Sequence, residues 1–191
     1  MKQSTMNYSF NIFFLILSFF FILIIFTNAG ETASLKLSPG WPSDLNKFDV
    51  GNFTSTAVGF SNDSLNEKMV FIAQRKKNAY KDCILAFDPN EGKFIKSFGS
   101  SAKISSPHGT YFDSARNSLW VADIERHTVL QMLGSNGDVL KEFGTSGVAG
   151  KGVHPTLQFG SVADVAVDDL GNIYITDGDG KYIKKVDVLS I

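Results

Sequence analysis

A five-residue motif that recurs about every fifty residues constrains the fold of this chain more than any other feature. The motif reads Leu-Trp-Val-Ala-Asp at 119–123 and Ile-Tyr-Ile-Thr-Asp at 173–177, with a weaker copy, Val-Phe-Ile-Ala-Gln, at 70–74. All three copies occupy the same place within a longer unit. Such repetition is typical of folds in which one supersecondary unit is stacked several times. The sequence therefore predicts an array of similar units.

The best-defined unit predicts four short strands that follow one another as an antiparallel meander. These segments are Gly109–Asp113, Leu119–Asp123, Thr128–Leu133 and Val139–Gly144. Asn136-Gly137 predicts the last turn as type I′, because both residues tolerate the positive φ that this turn needs. A four-stranded sheet with such short strands cannot bury both of its faces alone. The units are therefore predicted to stack around an axis as blades of a β-propeller, which is an all-β fold.

The repeats also predict how the chain is divided. Blade 1 is placed at 56–105, blade 2 at 106–160, and an incomplete blade 3, which stops before its fourth strand, at 161–191. Residues 30–55 form a lead-in segment. Closed rings usually have about four to eight blades, so about two and a half four-stranded blades are expected to be part of a larger propeller. Their open outer faces are expected to favour self-association.

Residues 1–29 have the layout of a secretory signal peptide. Lys2 precedes an apolar run, Ile12–Phe26, and small residues follow up to Ala29. The run is shorter than the roughly 20 residues that span a bilayer. Cleavage after Ala29 would place the blades outside the cell or in the lumen of the secretory pathway. An uncleaved signal anchor is the alternative, in which this segment alone contacts the membrane and the blades face the same side.

Two sequons and the charge bear on the chemistry of the mature region. Asn52 and Asn62 each begin an Asn-X-Ser/Thr sequence, and both become glycosylation sites if the chain is secreted. The formal net charge of the chain is −1, and no basic stripe is present. A nucleic-acid partner is therefore not expected.

The chain resembles the NHL-repeat propellers from about residue 40 to its end. The resemblance is carried by Ser106-Pro107-His108-Gly109, by the sequence from Asp168 to Asp177 and by the Gly137-to-Gly144 ending. Gly40-Trp41-Pro42, Phe48-Asp49-Val50-Gly51 and Asp177-Gly178-Asp179-Gly180 are similar to the secreted NHL-repeat-containing protein 3 group. The resemblance implies a six-bladed parent ring and a binding scaffold whose face loops contact a protein, peptide or glycan, without a cofactor. A truncated product without a function of its own is a further alternative.

A zinc-dependent member of the family supplies the enzymatic alternative. It splits peptidyl-hydroxyglycine, and a histidine in its Pro-His-Gly turn is one of three zinc ligands; His108 falls on that turn and is the candidate metal ligand. The lyase's other two zinc-binding histidines would come from blades that this chain lacks, and Asp179 stands where the lyase has a tyrosine. The resemblance therefore implies zinc and lyase activity only for a complete parent. The chain itself is predicted not to be an enzyme.

Asp123 and Asp177 end equivalent strands, and Gln74 holds the same place in the first repeat. A carboxylate at a strand end can accept hydrogen bonds from the backbone N–H groups of the following turn. We therefore predict a structural role for both aspartates rather than a metal site. His108 likewise has a structural alternative, in which it shapes the turn that leads into its strand by hydrogen bonding to its neighbours.

Overall fold

The computed structural model of the chain describes residues 35–48, 50–61, 64–75, 82–150, 157–178 and 182–186. Contacts divide the chain into two units, Met1–Pro39 and Gly40–Ile191, and the second unit contains all of the described strands. The predicted signal peptide lies outside the described residues. No helix within the described ranges has the length and apolar character that a membrane crossing needs.

The described residues form eleven strands in three antiparallel sheets, which confirms the predicted all-β fold of stacked blades. Blade 1 contains β1 (Asn52–Ser61), β2 (Ser64–Arg75), β3 (Ile84–Phe87) and β4 (Phe94–Phe98). Blade 2 contains β5 (Pro107–Asp113), β6 (Ser118–Asp123), β7 (Thr128–Leu133) and β8 (Val139–Phe143). Blade 3 contains β9 (Val162–Val167), β10 (Ile173–Asp177) and β11 (Tyr182–Val186). Within each sheet the strands lie side by side in chain order. A short 3₁₀ helix, Leu45–Lys47, precedes them.

Two local features differ from the sequence predictions. First strands begin earlier: β1 begins at Asn52, inside the predicted lead-in segment, and β5 begins at Pro107. The turn between β7 and β8 is not type I′, because within it only Gly137 has a positive φ, of 78°. Glycine is needed there for space as well, since a Cβ would lie 2.4 Å from the ring of Phe98 in blade 1.

The blades stack face to face, with their first strands adjacent. β5 contacts β1 on one side and β9 on the other. Because side chains alternate between the two faces of a strand, Leu119 and Val121 pack against blade 1, whereas Trp120 and Ala122 pack against blade 3. The equivalent isoleucines of β10 point back to blade 2. Each interface between blades therefore has its own apolar core.

Two glycines let the first strands approach one another closely. A Cβ on Gly59 of β1 would lie 2.3 Å from the ring of Phe112 in β5. A Cβ on Gly109 of β5 would lie 2.3 Å from the Asp164 carboxylate and 2.6 Å from the Ala163 carbonyl oxygen, both in β9. Any larger side chain at either glycine would force the neighbouring strands apart.

The lead-in segment covers much of the outer face of blade 1. Trp41 and Leu45 pack against a buried cluster that includes Leu85 and Phe87. Apolar side chains of blade 1 that stay exposed include Val58 in β1, at 61%, and Ile95 in β4, at 46%. The lead-in thus covers part of a face that the sequence predicted to be open, because its aromatic and aliphatic residues fold back onto Leu85 and Phe87.

The outer face of blade 3 is exposed within the described residues and is mixed in polarity. Ile183 is 75% exposed and Tyr174 is 37% exposed. The hydroxyl of Tyr174 donates to the Asp168 carboxylate at 3.1 Å, and the Lys185 ammonium lies 6.0 Å from the centre of the Tyr174 ring. Self-association through this face remains a prediction.

Candidate binding site on the upper face

One end of the three stacked sheets brings together the chemically distinctive residues. It is the end at which β1, β5 and β9 begin and at which the antiparallel β2, β6 and β10 finish. We call this end the upper face, and the end with the hairpin turns between first and second strands the lower face. The repeated motif therefore delivers its last residue to the upper face in every blade.

Asp123 fastens the start of its own blade. Its fully buried carboxylate accepts hydrogen bonds from the N–H groups of Ser105 at 2.7 Å and Ser106 at 3.1 Å. The N–H of Arg126, in the following turn, donates from 3.3 Å. The sequence predicted donors in the following turn only, whereas the shorter hydrogen bonds come from residues before β5. The register explains this, because Pro107 lies opposite Asp123 and the preceding N–H groups extend just beyond the ladder.

Asp177 makes the same arrangement in blade 3 and adds an ion pair. Its carboxylate accepts from the N–H groups of Gly160 at 2.9 Å and Ser161 at 2.7 Å, and the Lys184 ammonium lies 3.1 Å away. Burial acts to raise the pKa of Asp177, but the N–H donors and the ammonium outweigh it and hold this pKa below its ordinary value. The side chain is therefore an anion under physiological conditions.

Gln74 performs this role in blade 1 with an amide. Its Oε1 accepts from the N–H of Gly51 at 2.8 Å, and its Nε2 donates to the Asp82 carbonyl at 3.1 Å. Glutamine fits because this site presents an acceptor as well as a donor. All three motif-ending residues thus hold the backbone that leads into the first strand of their own blade.

A cleft of about 330 Å³ opens on the upper face beside the three first strands, and we call it the axial cleft. Its walls come from all three blades: Thr54, Ser55, Thr56, His108, Gly109, Thr110, Ala163 and Asp164. The hydroxyls of Ser55 and Thr110 are 3.0 Å apart and join blade 1 to blade 2. Asp164 is exposed, and its Oδ1 accepts from the N–H of Val165 at 2.9 Å. The cleft therefore offers hydroxyl, imidazole and carboxylate groups at fixed positions.

His108 joins blade 2 to blade 3 across this cleft. Its Nδ1 lies 2.8 Å from the Ala163 carbonyl oxygen. A carbonyl only accepts, so Nδ1 donates a proton to it, and in this tautomer of the imidazole Nε2 carries the lone pair. Metal-binding histidines commonly donate to a carbonyl in this way. However, the described residues contain no group of three His, Cys, Asp or Glu side chains able to hold a metal ion. Within the part of the chain that the structure describes, His108 is therefore a single candidate ligand and not a complete zinc site.

Of the two predicted glycosylation sites, one lies among the described residues and one does not. Asn52 is exposed at the first residue of β1, on the upper face, and the hydroxyl of Thr54 in the same sequon donates to the Ala73 carbonyl at 3.4 Å. Asn62 lies outside the described residues.

Ser55, Thr110 and Asp164 were not singled out from the sequence. Single hydroxyl and carboxylate residues are common on strand surfaces, so none of them stands out alone. The available signal was positional, because polar residues recur at the start of the first strand in each repeat. Stacking of the first strands is what turns these separate positions into one cleft.

Comparison with known proteins decides the family. No protein-family model matches the chain. NHL repeat-containing protein 3 of Mus musculus and the protein of the same name in Homo sapiens are each 35% identical to it over 156 residues. The chain belongs to the NHL-repeat family. The aligned region covers 78% of this chain and 41% of each relative, so the NHL-repeat chain spans less than half the length of the relatives it matches. Neither relative is named as an enzyme.

One solved structure shares the fold of this chain without close sequence similarity. A structural-genomics protein of unknown function from Bacteroides thetaiotaomicron superposes with a TM-score of 0.51 at 18% identity. The match covers 72% of this chain and 34% of that protein. At this identity the likeness concerns the fold alone.

Proposed function

We propose that this NHL-repeat chain is a secreted or lumenal binding scaffold that holds a protein, peptide or glycan on its upper face. The observation that carries the proposal is the axial cleft, to which the first strands of three blades each contribute hydrogen-bonding groups. Sites of this kind are typical of loops and strand ends placed on a rigid scaffold. Membership of the NHL-repeat family supports the scaffold role.

The chemistry of the axial cleft favours a polar, hydrogen-bonding ligand. Hydroxyl groups such as those of Ser55 and Thr110 donate and accept, whereas the Asp164 carboxylate accepts only. Sugar hydroxyls and peptide amides present complementary groups. The carboxylates of Asp123 and Asp177 accept backbone hydrogen bonds that hold the surrounding chain in place. Binding therefore requires little further ordering of the site.

Binding is tested with the full chain on immobilised oligosaccharide and peptide arrays. Thr110→Val removes a hydroxyl group from the cleft, and Asp164→Asn replaces a carboxylate acceptor with an amide donor; both keep the side-chain volume nearly unchanged. Each is expected to weaken binding about tenfold, the effect of losing one or two hydrogen bonds. Ser114→Ala, on the exposed lower face, is the matched control. Equal binding by all three variants would place the ligand elsewhere and contradict the proposal.

Secretion is tested by expressing the chain with its own leader in cells that glycosylate. We expect the protein in the medium, shortened by about 29 residues if the leader is cleaved. Asn52→Gln is expected to remove one glycan and increase gel mobility. Retention of the protein in the membrane fraction would instead support the uncleaved signal anchor.

A zinc-dependent lyase is the second candidate, and the position of His108 is the observation that favours it. Its Nδ1 is occupied by a carbonyl, which leaves Nε2 available, as in metal-binding histidines. Metal analysis of the secreted full chain separates the two functions. Stoichiometric zinc that is lost on His108→Ala would overturn a purely binding role, whereas metal-free protein that retains ligand binding would overturn the lyase.

A further inference from the structure

The interface between blades 2 and 3 contains a cleft of about 320 Å³, near the lower end of the volume range of small-molecule sites. Trp120 and Phe143 of blade 2 form one wall, and Val167 and Ile173 of blade 3 form the other. Lys141 lies at its rim. We call it the blade 2–3 cleft. It is separate from the axial cleft, with which it shares no lining residue.

The repeat itself explains why this space exists. Phe71 of blade 1 occupies the motif position that Trp120 occupies in blade 2. At the first interface the ring of Phe112 stacks on Phe71, with centroids 5.7 Å apart and an angle of 12°. In blade 3, Val167 replaces Phe112, since each lies opposite the first residue of its motif. Loss of an aromatic ring at this position leaves room beside Trp120.

Trp120, which lines the cleft, also carries a hydrogen-bond donor without a partner among the described residues. The side chain is only 2% exposed, and its indole N–H is buried without an acceptor among the described residues. Buried donors in folded proteins nearly always have a partner. Trp41, by contrast, donates its indole N–H to the Asp88 carbonyl at 3.3 Å. The orphaned group therefore points to an acceptor supplied from outside the described chain.

The charge at the rim is positive. Lys141 is exposed, and no ion pair holds it among the described residues. Its counterpart in blade 1, Lys96, is occupied by the Ser135 carbonyl of blade 2. Arg116 also lines the cleft but is already paired with the Asp113 carboxylate at 2.9 Å. No acidic side chain is among the described lining residues.

From this combination we propose that the blade 2–3 cleft binds a small aromatic or aliphatic carboxylate. The apolar body of the ligand lies between Trp120 and Val167, in the space that Phe112 fills at the first interface. The carboxylate is directed to the Lys141 ammonium and the Trp120 indole N–H, because neither donor has a protein acceptor in the part of the chain that the structure describes. A neutral ligand of the same shape would pack against the apolar walls but would form no ion pair with the Lys141 ammonium.

The test uses the full chain and NMR of its two indole N–H groups, with 3-phenylpropionate as probe and 3-phenylpropanamide as its neutral match. We expect the Trp120 signal to shift with a Kd of about 0.1–1 mM for the carboxylate, whereas the Trp41 signal stays in place. Trp120→Phe assigns the signal. Lys141→Gln, an exposed substitution, is expected to weaken carboxylate binding about tenfold and leave amide binding unchanged.

Val167→Phe is a second test of the proposal. It places a ring in blade 3 at the position that Phe112 occupies in blade 2, where it would fill the cleft. It is expected to abolish binding while keeping a dispersed, folded spectrum. Three results would overturn the proposal: an unmoved Trp120 signal at millimolar carboxylate, equal affinity for the amide, or undiminished binding in folded Val167→Phe. If Val167→Phe does not fold, Lys141→Gln decides alone.

Discussion

Replacement of Asp123 by alanine tests the claim that each blade is fastened at the start of its first strand. The wild-type carboxylate is fully buried and accepts from the N–H groups of Ser105 and Ser106 at 2.7 and 3.1 Å. Alanine removes both acceptor oxygens and leaves these donors in place. The loop before β5 then loses the contacts that hold it beside the end of β6.

The expected loss follows from how buried each donor is. A buried donor left without an acceptor costs about 1–3 kcal/mol. The N–H of Ser106 is buried and is expected to cost that full amount, whereas Ser105 is half-buried and water can replace part of its hydrogen bond. We therefore expect Asp123→Ala to lower the free energy of unfolding by about 1–5 kcal/mol. Asp123→Asn keeps one acceptor oxygen and is expected to cost about 1–2 kcal/mol.

Urea unfolding followed by circular dichroism measures both losses. Asp169→Ala is the matched control, since Asp169 is exposed on the lower face and alanine keeps the backbone carbonyl that accepts from Arg116; we expect a change within about 0.5 kcal/mol. A loss below about 1 kcal/mol for Asp123→Ala would refute the reasoning, because it would mean that water satisfies both donors at no cost.

Three further predictions concern packing, pH and the lead-in segment. Gly59→Ala is expected to lower the free energy of unfolding by about 1–3 kcal/mol, because its Cβ would collide with Phe112; thermal unfolding measures this, and an unchanged midpoint would contradict the close approach of β1 and β5. Asp177 has a folded-state pKa below its ordinary value, so its stabilisation is present above the unfolded-state pKa of about 3.9 and is lost as pH falls. Lys184→Met is expected to flatten this acid-side loss in urea titrations from neutral pH downward, and an unaltered pH profile would count against the ion pair. Trp41→Ala removes a half-buried side chain from the outer face of blade 1 and is expected to lower the free energy of unfolding by about 2–3 kcal/mol. This is less than the roughly 3–5 kcal/mol of a fully buried tryptophan. An unchanged free energy of unfolding would show that the lead-in does not cap this face.

Blade 2 was the most predictable part of the fold. The strand Thr128–Leu133 has the predicted bounds, and Ser118–Asp123 begins one residue early. Alternating apolar residues between clear turns fix such strands locally. The motif side chains of β6 alternate between the two neighbouring blades, as the period of two in a strand requires.

The hydrogen-bond and packing partners that come from distant parts of the chain were less predictable. Asp123 was recognised as a strand-end acceptor, but its donors before β5 depend on the register between β5 and β6, which no single segment encodes. The bond between Ser55 and Thr110 depends on the stacking of two blades. The lead-in segment carries no repeat signal, so its packing on blade 1 emerged only from the three-dimensional arrangement.

The central claim is that the three sheets stack around a common axis and that their first strands jointly form the upper-face site. Nuclear Overhauser contacts between blades measure this most directly. We predict cross-peaks between the rings of Phe71 and Phe112, whose centroids are 5.7 Å apart, and between Tyr111 and Val167, where the hydroxyl donates to the carbonyl at 3.1 Å. Cross-peaks confined within each sheet, with none between blades, would contradict the stacked arrangement and with it the axial cleft.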